Sequence, residues 1–141
     1  MIPNDNIGVL IRNADLIIAN HVRKQLEPFN LTPEQNLIML MLWNQDGIPS
    51  NELALQLKKD KASIARMITS LEGKGYIKRV DDPTDKRTFK VYLSDEGKRL
   101  AHFVVPIQQK IRETVTAGMT KEEIAELIKL ITKITNNVSG G

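Results

Sequence analysis

The sequence predicts a mainly helical α+β protein in which two short helices and a β-hairpin form one unit. Three observations lead to this prediction. Residues 50–58 and 61–73 have the apolar spacing of short amphipathic helices, residues 76–93 alternate as two strands, and longer amphipathic segments flank this unit on both sides. Two helices followed by a hairpin is the order in which a winged-helix protein presents a helix to DNA.

The first helix of the pair is predicted from Ser50 to Lys58. We expect the Ser50 hydroxyl to cap the free amides at its start. Leu53 and Leu57 share one face of this helix, and the small Ala54 beside them lets a second helix cross closely.

The second helix is predicted over residues 61–73, with Asp60 as its N-cap and Gly75 as its terminator. Apolar residues recur at the i, i+3, i+4, i+7 spacing of a buried stripe. The members of this stripe are Ile64, Met67, Ile68 and Leu71.

The opposite face of the second helix carries small residues and two cations. It consists of Lys61, Ala62, Ala65, Arg66, Thr69 and Ser70, with Ser63 at its edge. Small side chains let the helix backbone approach a groove of DNA, and no acidic residue lies between Lys61 and Leu71. We therefore interpret this helix as a candidate recognition helix.

The hairpin is predicted from two strands, residues 76–80 and 88–93, which are rich in β-branched and aromatic residues. A loop, residues 81–87, joins them. The second strand alternates between residues expected to face the core and residues expected to face solvent. The inward set is Phe89, Val91 and Leu93.

The loop of the hairpin is predicted to be a stiff wing tip. Pro83 cannot donate to a strand ladder, and the loop aspartates can accept hydrogen bonds from backbone amides. Lys86 and Arg87 then lie at the tip, where a guanidinium can enter a minor groove. Either Asp82 or Asp85 is expected to hold the arginine stem.

At these residues the sequence resembles the MarR family of bacterial transcriptional regulators. The wing tip Asp82-Pro-Thr-Asp85-Lys-Arg87 and the run Val91-Tyr-Leu-Ser-Asp-Glu-Gly97 carry the resemblance, which extends with weaker motifs over nearly the whole chain. It implies a homodimeric winged helix-turn-helix protein that binds DNA, more often a repressor than an activator. It places Lys61, Ala62, Ser63 and Arg66 of the recognition helix and Arg87 of the wing at the DNA, to which the residue pattern adds Thr69 and Lys86.

Two helices are predicted before this unit. Asn4 or Asp5 can cap the first, which runs to about Glu27 with a broad apolar face. Residues 32–35, Thr-Pro-Glu-Gln, form a capping box that opens the second, and Asp46-Gly47 ends it.

Two more helices are predicted after the hairpin. Ser94 caps a long one that contains Pro106, and a capping box over residues 120–123 opens the last. Val138 is placed just past the end of the last helix, and residues 139–141 are a loose tail. The last helix displays more apolar surface than a monomer usually exposes, so we expect the terminal helices to pair across a twofold axis.

These segments predict one domain over residues 1–138. Its DNA-reading lobe covers residues 30–100, and the dimerisation helices cover residues 5–27 and 100–138. A twofold axis would bring two recognition helices to successive major grooves about 34 Å apart, which suits a palindromic operator.

Composition agrees with a soluble DNA-binding protein. The 141 residues are 41% hydrophobic and 26% charged with a net charge of +3, and residues 58–99 hold twelve lysines and arginines against seven acids, leaving the remainder at −2. No apolar run approaches the roughly 20 residues that span a bilayer, so we expect a cytoplasmic location. With no cysteine there is no thiol switch, and no cofactor is expected.

Several single residues have an ordinary structural interpretation. Met39, Met41 and Trp43 lie on a strongly apolar helix and are expected in the core rather than in a ligand pocket. His21 and His102 are interpreted as polar neighbours rather than sensors or metal ligands. The resemblance leaves open a small aromatic or amphipathic effector that changes operator affinity.

Two other classes of function fit the sequence less well. A winged helix can serve as a protein-protein interaction module whose basic face meets an acidic partner. An enzyme has little support, because the sequence contains no Gly-rich phosphate loop, no cysteine nucleophile and no clustered histidines and carboxylates. Ser63 and Ser94 are better explained as residues at helix starts than as nucleophiles.

Overall fold

A computed structural model describes residues 5–85 and 87–140. In chain order its elements are α1 (Ile7–Leu26), a short 3-10 turn (Glu27–Phe29), α2 (Pro33–Asn44), β1 (Ile48–Pro49), α3 (Ser50–Leu57), α4 (Lys61–Gly73), β2 (Ile77–Asp81), β3 (Phe89–Leu93), α5 (Asp95–Val115) and α6 (Lys121–Ser139). The predicted fold class, mainly helical with a small β-hairpin wing, is confirmed over these residues. Within them no helix is long and apolar enough to cross a membrane.

The chain divides into two compact units, Met1–Ile107 and Gln108–Gly141. The first unit contains α1 to α4, the sheet and the first part of α5. The second contains the rest of α5 and α6. The grouping of residues 1–138 into a single domain stays a prediction.

The core of the first unit lies where α2, α3 and α4 pack against the sheet. Each large apolar side chain enclosed there contributes roughly 1.5 to 3 kcal/mol relative to an exposed position. Its most deeply buried apolar members are Leu26, Ile38, Met39, Leu42, Leu53, Ile64, Ile68, Leu71, Val91 and Val104. Three of them belong to α4, so this helix is held by one whole face.

The sheet has three antiparallel strands in the order β1-β3-β2. The predicted hairpin is confirmed, with Ile77 opposite Leu93 and Asp81 opposite Phe89. The sequence predicts two strands, and β1 is an addition: Ile48 pairs with Val91. This two-residue strand precedes α3 directly and ties the start of the helix pair to the wing.

Three predicted helix starts are confirmed by their hydrogen bonds. In α2 the Gln35 amide donates to Thr32 Oγ1 over 3.1 Å and the Thr32 amide donates to Gln35 Oε1 over 3.2 Å. The same reciprocal pair opens α6 between Thr120 and Glu123. At α5 the Gly97 amide donates to Ser94 Oγ over 3.0 Å.

The ends of the two terminal helices differ from prediction. Asn6 caps α1, because its Oδ1 accepts from the Val9 amide over 3.2 Å; Asp5 is not the cap and Asn4 lies outside the described residues. The last helix continues through Val138 to Ser139 and Gly140 caps its end, so neither Ser139 nor Gly140 forms the expected tail, and Gly141 lies outside the described residues. The Ser139 hydroxyl donates to the Thr135 carbonyl, which keeps this residue in the final helical turn.

Gly97 is a packing point between α5 and the start of β2. A Cβ at this position would lie 2.1 Å from the Tyr76 carbonyl oxygen. The Gly97 carbonyl also accepts a hydrogen bond from the indole nitrogen of Trp43 over 2.8 Å. A side chain at residue 97 would therefore push the backbone of α5 away from the backbone at Tyr76.

Gly97→Ala is expected to destabilise the protein by about 2 to 3 kcal/mol, because the clash is with backbone and cannot be relieved by a side-chain rotation. Thermal unfolding followed by circular dichroism measures the change. Gly73→Ala is the matched control: no atom lies within 4 Å of its Cβ position at the end of α4. Equal unfolding midpoints for the two variants would contradict this description of the α5 start.

Candidate nucleic-acid interface

A tight turn joins α3 to α4. Lys58 has left-handed backbone geometry with φ of 56°, and the Lys59 amide donates to the Ala54 carbonyl over 3.0 Å. The left-handed residue and this hydrogen bond end α3 at Leu57, one residue before its predicted end, and the chain turns directly into α4. Ala54 is buried, as expected for a small residue at a close helix crossing. The pair is therefore a helix-turn-helix.

Asp60 caps α4 as predicted. Its Oδ1 accepts from the Ser63 amide over 2.7 Å. Hydrogen bonds from the Ser63 backbone and then its side chain, with the Arg66 charge adding to them, hold the pKa of Asp60 below its usual value. The Arg66 guanidinium donates to Ser63 Oγ over 3.1 Å, so the first two turns of α4 share one polar network.

The two faces of α4 separate as predicted. Ile64, Ile68 and Leu71 are each no more than 1% exposed, and Met67 is half-buried against the same core. On the other side the proposed reading face is open to solvent. Its exposed members are Lys61, Ala62, Arg66, Thr69 and Ser70, and Ser63 and Ala65 are half-buried at its edge.

The wing tip is organised by two aspartates with different roles. Asp85 Oδ1 accepts from the Arg87 amide over 3.0 Å and from the Arg87 Nε over 3.3 Å, while 89% of the Arg87 side chain remains exposed. Asp82 instead accepts from the amide and hydroxyl of Thr84, over 2.8 and 2.7 Å. These hydrogen bonds lower the pKa of both carboxyls. Lys86 lies outside the described residues.

Ser50 has a different role from the predicted one. It does not cap α3, whose N-cap is Pro49; its hydroxyl lies 3.2 Å from Thr88 Oγ1 and accepts from the Phe89 amide over 3.4 Å. The base of the wing is thereby attached to the first turn of α3. Sequence spacing could not reveal this, because the partners are 38 residues apart.

The start of α4 and the wing border one small cavity of about 170 Å³. Lys61 and Ala65 line it from the helix, and Arg87 and Phe89 line it from the wing. The fold thus places two of the predicted cationic contacts, Lys61 on the helix and Arg87 on the wing, around the same concave surface. Such a surface attracts phosphate oxygens.

Thr69 and Arg79 show a contact that the sequence did not reveal. Thr69 is exposed, but its Oγ1 accepts from the Arg79 guanidinium over 2.9 Å. Charge alone groups Arg79 with the surface cations. The alternation of the strand could have indicated this contact, because Arg79 lies two residues after Ile77 and so on the same, inward face of β2.

Other residues considered from sequence have structural roles. Met39 is fully buried and Trp43 is half-buried against the core, as expected. Met41 also packs against the core, but it borders an open cavity as well. His21 is half-buried on α1 and His102 is exposed on α5. These two histidines stay without an assigned role.

The helix-turn-helix with its adjoining wing defines the class of winged-helix DNA-binding proteins, and comparison with known proteins identifies the family. The MarR family model matches residues 31–89. The transcriptional regulator HosA of Escherichia coli O111:H- is 30% identical over 114 residues, which cover 81% of this chain and 84% of that protein. The chain belongs to the MarR family of transcriptional regulators, which are DNA-binding proteins and not enzymes.

Solved structures agree with this fold. A MarR protein from Peptoclostridium difficile superposes with a TM-score of 0.88 at 22% identity, covering 99% of this chain and 94% of that one. A mutant MarR from E. coli, solved in complex with operator DNA, superposes with a TM-score of 0.83 at 25% identity, covering 92% and 94%.

Asp60→Ala is expected to lower the thermal midpoint at neutral pH by roughly 2 to 6 °C, because the first amides of α4 lose their acceptor. Since folding lowers the pKa of Asp60, the stabilisation by its charge is present above the ordinary carboxyl range and is lost as pH falls through the lowered pKa. The difference in midpoint between wild type and variant should shrink over that acidic range, toward the value that an uncharged acceptor at this position gives.

Asp60→Asn serves as the control for this measurement. An asparagine can still accept the Ser63 amide but carries no charge, so its difference in midpoint from Asp60→Ala should be independent of pH. A difference between wild type and Asp60→Ala that stays constant down to strongly acidic pH would contradict the assignment of a charged cap.

Proposed function

We propose that this protein is a homodimeric repressor that binds a palindromic operator and is released from it by a small molecule. One observation carries the proposal: α4 exposes small residues and cations along one side, and the wing brings Arg87 next to the start of that side. A helix of this kind fits the major groove while an adjacent wing reaches the neighbouring minor groove.

The residues of α4 suit distinct contacts with a duplex. Ala62 and Ser63 are small enough to let the first turn approach base edges, and Arg66 is long enough to reach bases or phosphates beside them. Lys61 at the helix start suits a phosphate. Thr69 lies two turns further along, and its methyl group suits an apolar contact with bases.

The wing suits a minor-groove contact. Asp85 orders the Arg87 stem while leaving the guanidinium exposed, which reduces the entropy cost when the arginine enters a groove. Lys86, its neighbour in sequence, adds a second positive charge for the phosphates. The E. coli relative was solved in complex with operator DNA, which supports DNA binding by this fold.

Exposed apolar surface supports the homodimer. The helix α1 exposes Ile7, Leu10, Ile11, Leu16, Ile17 and Ile18. In the second unit, α6 exposes Leu127, Ile128, Leu130, Ile131, Ile134 and Val138. Faces of this extent usually mark an interface in a soluble protein, and pairing of identical copies produces the twofold symmetry that a palindromic site mirrors.

Repression and release complete the proposal. A dimer bound across successive grooves excludes other proteins from the same duplex, and needs no further contact surface to do so. A small aromatic or amphipathic effector would release it by favouring a conformation with lower operator affinity. An open cavity of about 580 Å³ between α2 and α3 has the volume for such a molecule, and its lining is mainly polar, with Asn44, Gln45, Asn51 and Glu52 among its residues.

Selection of bound fragments from random DNA tests this function directly. We expect recovered fragments to share a palindrome whose half-sites are centred about one helical turn apart. In a gel shift, the recovered site should stay bound under an excess of nonspecific competitor and its scrambled version should not. Equal loss of both probes would favour the alternative, a protein-protein module whose basic face binds DNA only by charge.

Arg87→Ala is expected to weaken binding to the selected site, because the wing then no longer neutralises a phosphate. The log-log salt slope should fall by about 0.9 for each phosphate that Arg87 neutralises in the wild-type complex. Arg99→Ala, which removes an exposed arginine of α5 that lies in neither the recognition helix nor the wing, is the matched control and should leave the slope unchanged. A titration in which Arg87→Ala behaves like this control would remove the wing from the interface.

Sedimentation equilibrium tests the homodimer. The chain has a mass of 15.9 kDa, and at micromolar concentration we expect a species of about 32 kDa. Ile131→Glu places a charge in the exposed apolar face of α6 and should shift the equilibrium toward monomer. A single species near the monomer mass for the wild-type protein would contradict the dimer.

A further inference from the structure

Arg79 makes an unusual set of contacts for a strand residue of a wing. It lies on the same face of β2 as the buried Ile77. Its Nε donates to Glu72 Oε1 over 3.1 Å, its Nη2 donates to Thr69 Oγ1 over 2.9 Å, and its guanidinium carbon lies 4.6 Å from the centre of the Phe89 ring. One side chain on β2 thus connects α4 with the neighbouring strand β3.

We propose that Arg79 is a positioning residue that holds the wing at a set distance from the recognition helix α4 and thereby strengthens DNA binding through Arg87. The proposal rests on the DNA-binding function above. It assigns Arg79 a role that its charge alone does not suggest, because the guanidinium is used within the protein rather than on a phosphate.

The chemistry of the site favours arginine specifically. The planar guanidinium donates from two of its nitrogens, to Glu72 and Thr69, while its central carbon lies over the Phe89 ring. The Glu72 and Arg79 side chains are 34% and 32% exposed, so their ion pair alone contributes little to stability. The ion pair contributes instead to the position of the hairpin, because the three contacts of Arg79 together restrict the hairpin's orientation.

That orientation matters to a protein that reads two grooves at once. The phosphate backbone separates a helix in the major groove from a wing in the minor groove, so the distance between α4 and the wing must match it. Ser50 and Asn51 make a comparable polar link through Thr88 and hold the side of the wing near α3, and Asp46 Oδ1 accepts from the Leu93 amide at the end of β3. Arg79 holds the side near the end of α4, and this preorganisation reduces the entropy cost of binding.

The competing interpretation is that Arg79 binds a phosphate itself. Glu72→Gln separates the two. If Arg79 positions the wing, removal of the carboxylate weakens the hold on the guanidinium and lowers DNA affinity. If Arg79 binds phosphate, the same change frees the guanidinium and removes a negative charge, so affinity stays equal or rises.

Binding to the selected operator is measured for wild type, Arg79→Met, Arg79→Lys and Glu72→Gln. We expect about tenfold weaker binding for Arg79→Met, about threefold for Glu72→Gln, and an intermediate effect for Arg79→Lys, which keeps the charge but lacks the planar fork. Arg99→Met removes one exposed arginine, which is paired with Glu96 on α5 and lies in neither α4 nor the wing, and is the matched control, with a change below about twofold.

A double-mutant cycle with Arg87→Ala tests the route of the effect. If Arg79 acts through the wing, Arg79→Met should weaken binding by no more than about twofold when Arg87 is already absent. Full additivity of the two effects, or tighter binding by Glu72→Gln, would overturn the proposal in favour of a direct phosphate contact.

Amide hydrogen exchange in the free protein gives a readout that needs no DNA. The Asp82 amide donates to the Thr88 carbonyl and the Thr88 amide donates to the Asp85 carbonyl within the wing. Arg79→Met and Glu72→Gln should speed exchange at both amides by about fivefold, and Arg87→Ala and Arg99→Met should not.

The two readouts separate failure of the proposal from failure of the function. If the two variants exchange faster while the wild-type protein shows no specific DNA binding, the proposed function is refuted and the hold on the wing is established. Unchanged exchange in both Arg79→Met and Glu72→Gln overturns the positioning role, whatever the DNA affinities. Glu72→Gln keeps the test valid if Arg79→Met unfolds.

Discussion

The DNA-binding account depends on the burial of one face of α4. Ile64, Ile68 and Leu71 are enclosed in the core of the first unit, and turning the helix about its axis would expose all three at a cost of roughly 1.5 to 3 kcal/mol each. That constraint leaves the opposite side of the helix in solvent. The exposed face is therefore determined by hydrophobic packing, while its small residues and cations determine what it can bind.

The second constraint is the attachment of the wing. The hairpin is tied to α3 through Ser50, to α4 through Arg79, and within its own tip through Asp85. Each link is a modest, partly exposed polar contact, yet they act on three different points of the hairpin. A wing held in this way presents Arg87 at a defined place beside α4, and a DNA contact then needs little further ordering.

Sequence is sufficient where the determinants are local. The bounds of α4, the Asp60 cap and the capping boxes of α2 and α6 depend on residues within four positions, so propensity and spacing identify them. It is insufficient where the partner is distant. From spacing alone, the Ser50 hydroxyl is assigned to its own helix, because Thr88 becomes its neighbour only when β1 pairs with β3. From charge alone, Arg79 is assigned to the surface cations, because its contact with Glu72 depends on how β2 packs against α4.

The central claim is that the solvent-exposed face of α4 binds DNA. Amide chemical-shift mapping by NMR is the most direct test of this claim. The labelled protein is titrated with its selected operator duplex. We expect the largest shifts at the start and solvent side of α4, residues 61–70, and at the wing tip around Arg87. Specific binding with these amides unmoved, and with shifts confined to α1 and α6, would contradict the claim.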